Sequence, residues 1–398
     1  MHPVFKLKNQ VKHYAWGSPD WIPKLLGEKN PDNKPYAELW MGVHRDGQSQ
    51  TGCNGKTISL AELIGRDAAL YLGKASASAA AGAASLPFLF KLLAADKPLS
   101  IQAHPSLEQA RAGFERENSA GVPLDAPERN YKDANHKPEI ICALTPFKAM
   151  AGFRETDEIR ALFGAFGMKS LAGVKAALDS GLKAFLQALF ALPPEIRRRV
   201  CEHAATQERR LCESHPQYRD VWETAASFAE RYPSDPAALS PLYLNLIFLE
   251  KGEALFLPAG VLHAYIHGLG VELMANSDNV LRGGLTSKCI DLQELFHILT
   301  FSAFKPEILH PNPSKYPVTC KEFSLSVMYD QGVWTEDGPA ILIVTQGEVG
   351  VVSGDEKNSE KTETKLKQGE SAFIAAGNAG KLSLNGNFIL YIAGIGFV

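Results

Sequence analysis

The stretch Gly252-Glu-Ala-Leu-Phe-Leu-Pro258-Ala-Gly260-Val-Leu-His263 decides the fold of this chain. Its apolar run predicts a β-strand, its proline and glycine predict a tight turn, and the chain then returns with His263 aimed inward. The segment from Gly369 to Gly380 repeats this spacing but ends on glycine instead of histidine. A repeated strand-turn-strand unit is typical of β-barrels, so we expect two barrels, of which only the first offers a histidine to a metal.

The spacing G-x5-P-x-G-x2-H resembles the second conserved motif of cupins. This resemblance implies two cupin-like jelly-roll barrels. Upstream of both repeated segments, a stretch rich in Ala, Leu, Glu and Arg begins near Glu155, and its apolar side chains recur at helical spacing. We therefore expect a mainly β chain with an α-helical insert domain at 155–240. The discontinuous metal-binding domain is expected at 1–154 and 241–312, and a metal-free barrel at 313–398.

Composition excludes several classes of partner. The chain has 398 residues and a net charge of −3, and no block of Lys and Arg is interleaved with aromatic residues, so nucleic acid and anionic membranes are not expected partners. Its N-terminus does not resemble a signal peptide, and no apolar run reaches the ~18 residues of a membrane span. The six cysteines form no Cys-x-x-Cys pair, which is typical of a reducing compartment. We expect a cytoplasmic monomer that acts on a small molecule.

Four polar side chains, brought together from distant segments, predict a metal site. Gln102 and His104 are two residues apart, so on a strand both point to the same face. Glu139 and His263 complete a set of two nitrogen and two oxygen ligands. Imidazole with carboxylate suits zinc best, although iron, cobalt or manganese could fill the same shell. We expect one metal ion per chain.

Two further motifs carry a family resemblance. Tyr131-Lys-Asp-Ala-Asn-His-Lys-Pro-Glu139 resembles the Y-x-D-x-N-H-K-P-E signature of type I phosphomannose isomerases, and the segment from His263 to Lys288 is similar to the second signature of that family. The family pattern R-A-G-x-T-P-K is replaced here by Arg282-Gly-Gly-Leu-Thr-Ser-Lys288. Gly283 and Ser287 are expected to loosen this loop and to affect the pose of Lys288 more than the reaction.

The resemblance implies a zinc-dependent aldose–ketose isomerase that interconverts mannose 6-phosphate and fructose 6-phosphate through an enediolate. Arg282 is expected to stabilise charge on the reacting substrate or to anchor its phosphate group. The residue that moves the proton stays open among three candidates, Glu272, Lys137 and Asp278. The side chains expected to contact the substrate or to orient a ligand are Lys288, Ser106, Tyr265 and His136. A cupin-type metal dioxygenase and a non-catalytic sugar-binding cupin are the alternative functions.

Overall fold

The chain combines strand and helix in nearly equal shares. The computed structural model describes residues 4–79, 85–335, 338–353, 362–376 and 382–396. About 34% of the described residues are in strands and 32% in helices, and the sheets are antiparallel. The helical share exceeds the expectation of a mainly β chain because several helices lie outside the segment 155–240. Gly380, the residue expected to replace the metal-binding histidine in the second repeat, lies outside the described residues.

The strands and helices occur in the following order along the chain. The strands are β1 (Val4–Lys8), β2 (Gln10–Lys12), β3 (Glu38–Met41), β4 (Gln50–Cys53), β5 (Lys56–Ser59), β6 (Phe88–Ala95), β7 (Ile101–Ala103), β8 (Glu139–Ala143), β9 (Phe147–Phe153), β10 (Leu244–Leu249), β11 (Ala254–Leu257), β12 (His263–Ala275), β13 (Leu281–Gly284), β14 (Ile308–Leu309), β15 (Ser324–Tyr329), β16 (Gly332–Trp334), β17 (Ala340–Ser353), β18 (Thr362–Lys367), β19 (Ser371–Ile374) and β20 (Leu382–Gly394). The α-helices are α1 (Trp21–Leu26), α2 (Leu60–Arg66), α3 (Ala68–Ala79), α4 (Leu107–Ser119), α5 (Thr156–Phe166), α6 (Ala172–Ala176), α7 (Leu182–Phe190), α8 (Pro194–Ser214), α9 (Arg219–Arg231) and α10 (Leu292–Ile298). Short 3-10 helices occur at Lys169–Leu171, Ala177–Ser180, Pro216–Tyr218 and Pro236–Leu242.

Two antiparallel sheets organise the strands. An 11-stranded sheet runs β14-β11-β8-β12-β6-β3-β2, and it also includes β7, β9, β10 and β13. A 9-stranded sheet runs β15-β20-β17-β19-β1-β4-β5 and includes β16 and β18. This second sheet is completed by β1, β4 and β5, which come from the first 59 residues of the chain. The repeat seen in the sequence begins the same way in both sheets, because Gly252 and Gly369 have positive φ angles of 90° and 83° and each lies two residues before a strand.

The strand β12 carries residues into both parts of the larger sheet. Its first residues pair with β7 and β9, and from Gly268 onward it pairs with β6 and β8. Gly268 has a φ of 134°, and a Cβ atom there would lie 2.5 Å from the ring of Phe147. Only glycine tolerates both conditions, so this residue allows the strand to bend where it changes partners.

The helices between Thr156 and Arg231 share a core with the larger sheet. In α7, Leu182, Phe185, Leu186 and Leu189 are buried. Their core also contains Ile101 from β7 and Leu281 from β13, so burial of apolar surface holds the helices against the strands that carry the polar site. Within the described residues, no helix is both long and apolar enough to cross a membrane.

Candidate metal centre and active site

Three neighbouring strands place one polar row across the larger sheet. His263 of β12 lies opposite Gln102 of β7, and Gln102 in turn lies opposite Arg282 of β13. Residues opposite each other in an antiparallel pair project from the same face of the sheet, so strand pairing alone makes these three side chains neighbours. Gln102 Nε2 lies 3.5 Å from His263 Nε2.

The turn that precedes His263 is fixed against the chain beside His104. The backbone N–H of Gly260 donates to the carbonyl oxygen of His104 at 2.9 Å. Gly260 has a φ of 76°, and a Cβ there would lie 2.7 Å from Thr300 Oγ1. The glycine of the sequence motif is therefore required by close approach, and it brings the two histidines to one place.

His104, Glu139 and His263 form a group that can hold a metal ion. Their ligand atoms all lie within 4.8 Å of one another, and all three residues are buried. His104 Nε2 lies 3.4 Å from Glu139 Oε1, and His263 Nε2 lies 3.4 Å from Glu139 Oε2. Two imidazoles and one carboxylate are a ligand set typical of zinc in proteins.

The hydrogen bonds made by His104 and His263 leave the Nε2 atom of each ring able to bind a metal ion. Nδ1 of His104 donates to the carbonyl oxygen of Asn279 at 2.7 Å, and Nδ1 of His263 donates to that of Val261 at 2.9 Å. Each Nε2 therefore carries a lone pair directed at the carboxylate. His104 Nε2 and Glu139 Oε2 are buried without a hydrogen-bond partner. Facing lone pairs in a buried site are satisfied by a cation, so the residues fit a zinc ion.

Lys137 lies directly on this group. Its Nζ is 2.9 Å from Glu139 Oε1, and the lysine is itself buried. Burial alone would raise the pKa of Glu139, but Lys137 and His104 outweigh burial and hold that pKa well below its usual value. Glu139 is therefore an anion at neutral pH, as a metal ligand must be.

The burial of His104 makes a prediction about pH. Burial lowers the pKa of His104 to about 4 from the ordinary value of 6.5, so between these pH values the unfolded chain binds more protons than the folded one. The free energy of unfolding of the zinc-free protein should therefore fall as pH drops through this range. Urea unfolding at a series of pH values should show this decline in wild type and a weaker one in His104→Gln. An identical pH dependence in both proteins would show that His104 is not the residue responsible for the loss of stability.

A second buried charge group lies beside the candidate metal centre. Lys91 Nζ is 2.6 Å from Glu272 Oε2 and 3.0 Å from Glu38 Oε1. Burial opposes the charge on Lys91, but Glu272 and Glu38 outweigh it and raise the pKa of the lysine. Burial raises the pKa of Glu272, and Lys91 only partly reverses that effect. Lys91 and Glu38 were assigned no role from the sequence, although a lysine within the apolar run of β6 was a usable signal.

One cavity of about 750 Å³ joins these groups. Its lining includes Gln102, Lys137, Glu139, Tyr265, Glu272, Asp278, Arg282 and Lys288. Tyr14 and Trp16 stack on one another at 5.7 Å between ring centroids and also line the cavity. The structure therefore brings most of the predicted side chains, from both signatures, to a single space.

Three predicted residues have other contacts in the structure. Ser106 caps α4, where its Oγ accepts from the backbone N–H of Gln109 at 3.2 Å. His136 pairs with Glu322 at 2.7 Å. Neither Ser106 nor His136 is among the residues that line the cavity. Asp278 does line the cavity, but it is paired with His44 and Arg45, each at 3.1 Å. Burial would raise the pKa of Asp278, but these two contacts outweigh burial and lower it. Asp278 is therefore a weak base.

Asn279 is a positioning residue that sequence reasoning missed. It is fully buried, and its Oδ1 accepts the backbone N–H of Lys132 at 2.7 Å while its Nδ2 donates to the carbonyl oxygen of Asn135 at 2.9 Å. Its own carbonyl accepts from His104. One side chain and its backbone therefore connect the first signature, the second signature and a metal-ligand candidate. No pattern in the sequence indicates such a contact.

Comparisons with known proteins give the family. Residues 4–156 match the family model for the catalytic domain of type I phosphomannose isomerase. The chain is 40% identical over 386 residues to mannose-6-phosphate isomerase of Escherichia coli (strain K12), which covers 93% of this chain and 94% of that protein. It belongs to the mannose-6-phosphate isomerase family. Human mannose-6-phosphate isomerase is 33% identical over 422 residues, covering 96% of this chain and 95% of the human one.

Solved structures of mannose-6-phosphate isomerases have the same fold. A zinc-bound crystal structure superposes with a TM-score of 0.86 at 36% identity, and each chain is covered completely. A mutant of phosphomannose isomerase from Salmonella typhimurium gives a TM-score of 0.87 at the same identity and coverage. The family resemblance that the two signatures indicated is therefore confirmed.

Proposed function

We propose that this protein interconverts mannose 6-phosphate and fructose 6-phosphate, with one zinc ion held by Gln102, His104, Glu139 and His263. The observation that carries the proposal is the pair of unpartnered buried lone pairs on His104 and Glu139, which lie beside a cavity in a member of this enzyme family. When bound, zinc supplies a Lewis acid that polarises the carbonyl and hydroxyl oxygens of the open-chain sugar.

The cationic end of the cavity suits the phosphate group. Among the described residues, no carboxylate lies within ion-pair distance of Arg282 or Lys288, although both line the cavity. Burial lowers the pKa of Arg282, and burial followed by Arg282 lowers that of Lys288. Partly dehydrated cations without a protein counter-charge favour an anionic ligand, so these two residues would bind the phosphate or stabilise charge on the reacting oxygens.

The proton between C1 and C2 would be moved by Glu272 or Lys137. Burial raises the pKa of Glu272, which makes this carboxylate a stronger base than an exposed one. Lys137 contacts Glu139 and reaches the same cavity. Tyr265 also lines this cavity, and burial raises its pKa well above the usual value, so its hydroxyl would act as a donor to the substrate.

Glu272→Gln distinguishes the two base candidates. The amide keeps the shape of the side chain but cannot accept the proton. The variant should therefore still bind fructose 6-phosphate, but the substrate hydrogen that moves between C1 and C2 should exchange with deuterated solvent much more slowly than in wild type. The exchange rate should fall about 10²-fold or more, the usual contribution of a general base. Proton exchange is measured by NMR with zinc content as the control. Exchange at the wild-type rate would assign the proton transfer to Lys137.

A domain organisation accompanies this assignment of roles. We propose the discontinuous catalytic domain 1–154 and 241–312, the helical insert domain 155–240 and the metal-free barrel 313–398, the two β domains being cupin-like jelly rolls. The strands β1, β4 and β5 would then hydrogen-bond the catalytic domain into the sheet of the second barrel. We also propose that the enzyme is a cytoplasmic monomer.

The proposed activity is tested by incubating the purified protein with fructose 6-phosphate and measuring mannose 6-phosphate. Conversion should stop after treatment with a chelator and return when zinc is added. Absence of product from zinc-loaded protein would contradict the proposal. Consumption of dioxygen, or binding of the sugar without conversion, would favour the alternative functions.

A further inference from the structure

The segment Arg282–Lys288, which carries two cations of the cavity and is called the cation loop below, contains an unusual backbone conformation. Leu285 lies between Arg282 and Lys288 and has a φ of 54°, in the left-handed region that L-residues rarely adopt. Its side chain is buried, so the residue cannot relax by turning outward. Such a conformation persists only when its surroundings impose it.

Asp235, at the end of the helical insert, supplies that constraint. Its Oδ2 accepts the backbone N–H of Leu285 at 2.7 Å. Its Oδ1 accepts the backbone N–H of Ala237 at 2.9 Å, so the carboxylate is oriented from both sides. A carboxylate that accepts two backbone N–H groups makes charge-assisted hydrogen bonds, which are the strong class.

The backbone of Gly284, next to Leu285, also lies very close to Ala237 and Asp235. Gly284 has a φ of 132°, and a Cβ there would lie 2.1 Å from the Cβ of Ala237 and 3.3 Å from Asp235 Oδ2. The insert therefore packs directly on the backbone of the cation loop. Arg231 and Tyr232, a few residues before Asp235, line the same cavity as Lys288, so the contact lies at the edge of the substrate space.

We propose that Asp235 is a positioning residue through which the helical insert sets the conformation of residues 285–288, and thereby the affinity of Lys288 for the phosphate group, while Arg282 stays fixed by its pairing with Gln102. The inference rests on the proposed function and deepens it. Gly283 and Ser287 depart from the family pattern and were expected to loosen this loop. The bond from Asp235 to Leu285 restrains the loop at the residue between them.

Asp235→Asn tests the inference. The amide keeps the size of the side chain, but it has only one acceptor oxygen for two backbone N–H groups. The variant should raise KM for fructose 6-phosphate and the inhibition constant of inorganic phosphate together, each about tenfold, with kcat nearly unchanged and zinc retained. A second substitution, Leu285→Gly in the same variant, removes the conformational penalty and should recover most of the phosphate affinity, although it lowers thermal stability. Phosphate binding is also measured directly by calorimetry, without turnover.

Two matched pairs of variants separate positioning from general loss of stability. Ser59→Ala removes a comparable cap, on α2, and should lower the melting temperature without changing KM. Gly284→Ala should weaken phosphate binding as Asp235→Asn does, whereas Gly181→Ala, at a glycine with a positive φ of 97° but no atom within 4 Å of the added Cβ, should not. The inference is overturned if Asp235→Asn and Gly284→Ala leave phosphate affinity at the wild-type value, or if glycine at position 285 recovers none of it. Inactivity of the zinc-loaded wild type would instead refute the proposed function.

Discussion

His263→Ala should lose zinc and isomerase activity together, with at least about a 10³-fold fall in kcat/KM, because it removes a ligand and the Lewis acid with it. His263 is buried, its Nδ1 is held by the carbonyl of Val261, and its Nε2 faces Glu139 at 3.4 Å. Zinc is measured by elemental analysis of the folded variant, and activity by formation of mannose 6-phosphate.

His267→Ala is the matched control for this prediction. It lies on the same strand, four residues later, but it is exposed, and its ring makes a T-shaped contact with the ring of Trp21. Zinc content and activity should both stay at the wild-type level. A folded His263→Ala protein that keeps one zinc per chain would show that this histidine is not a ligand.

Arg282→Lys should lower kcat by about 10²-fold or more, the effect of losing one preorganised donor in a dehydrated site. Lysine keeps the positive charge but not the planar fork that contacts two oxygens at once. Arg282 lies opposite Gln102 in the sheet, which places it beside the candidate metal ligands and not only at the phosphate end. Steady-state kinetics with fructose 6-phosphate measure the change.

The division between kcat and KM decides what Arg282 does. A raised KM with kcat unchanged would mean that the arginine holds the phosphate equally in the ground and transition states, which would contradict its role in charge stabilisation. Arg209→Lys on α8, where the arginine is exposed, is the control and should change neither constant. Zinc content should remain at the wild-type level in both variants.

Local patterns were sufficient to identify the metal-ligand candidates that the structure brings together. Gln102 and His104 share a face because of strand periodicity, and the glycine spacing before His263 reports a turn that the structure requires at Gly260. The sequence also predicts the helix-capping role of Ser106, because a serine followed three residues later by a glutamine, here Gln109, is typical of a capping box. A substrate contact is expected at Ser106 instead, because this residue follows the Gln102-x-His104 motif.

The remaining features depend on pairings between distant segments. Lys91 and Glu38 are 53 positions apart and meet only because β3 and β6 pair. Asp235 and Leu285 are 50 positions apart, and their bond depends on a backbone angle that leucine does not predict. The inclusion of β1, β4 and β5 in the second sheet likewise has no local signal, because strand periodicity identifies a strand but not its partner.

Titration of the zinc-free protein with zinc, with isomerisation of fructose 6-phosphate followed at each step, shows directly whether isomerisation depends on one zinc ion per chain. Activity should be absent at the start, rise in proportion to added zinc and stop rising at one zinc per chain. His263→Ala should remain inactive throughout the same titration. Full activity in the zinc-free protein, or a zinc-loaded protein that forms no mannose 6-phosphate, would contradict the proposed zinc-dependent isomerisation.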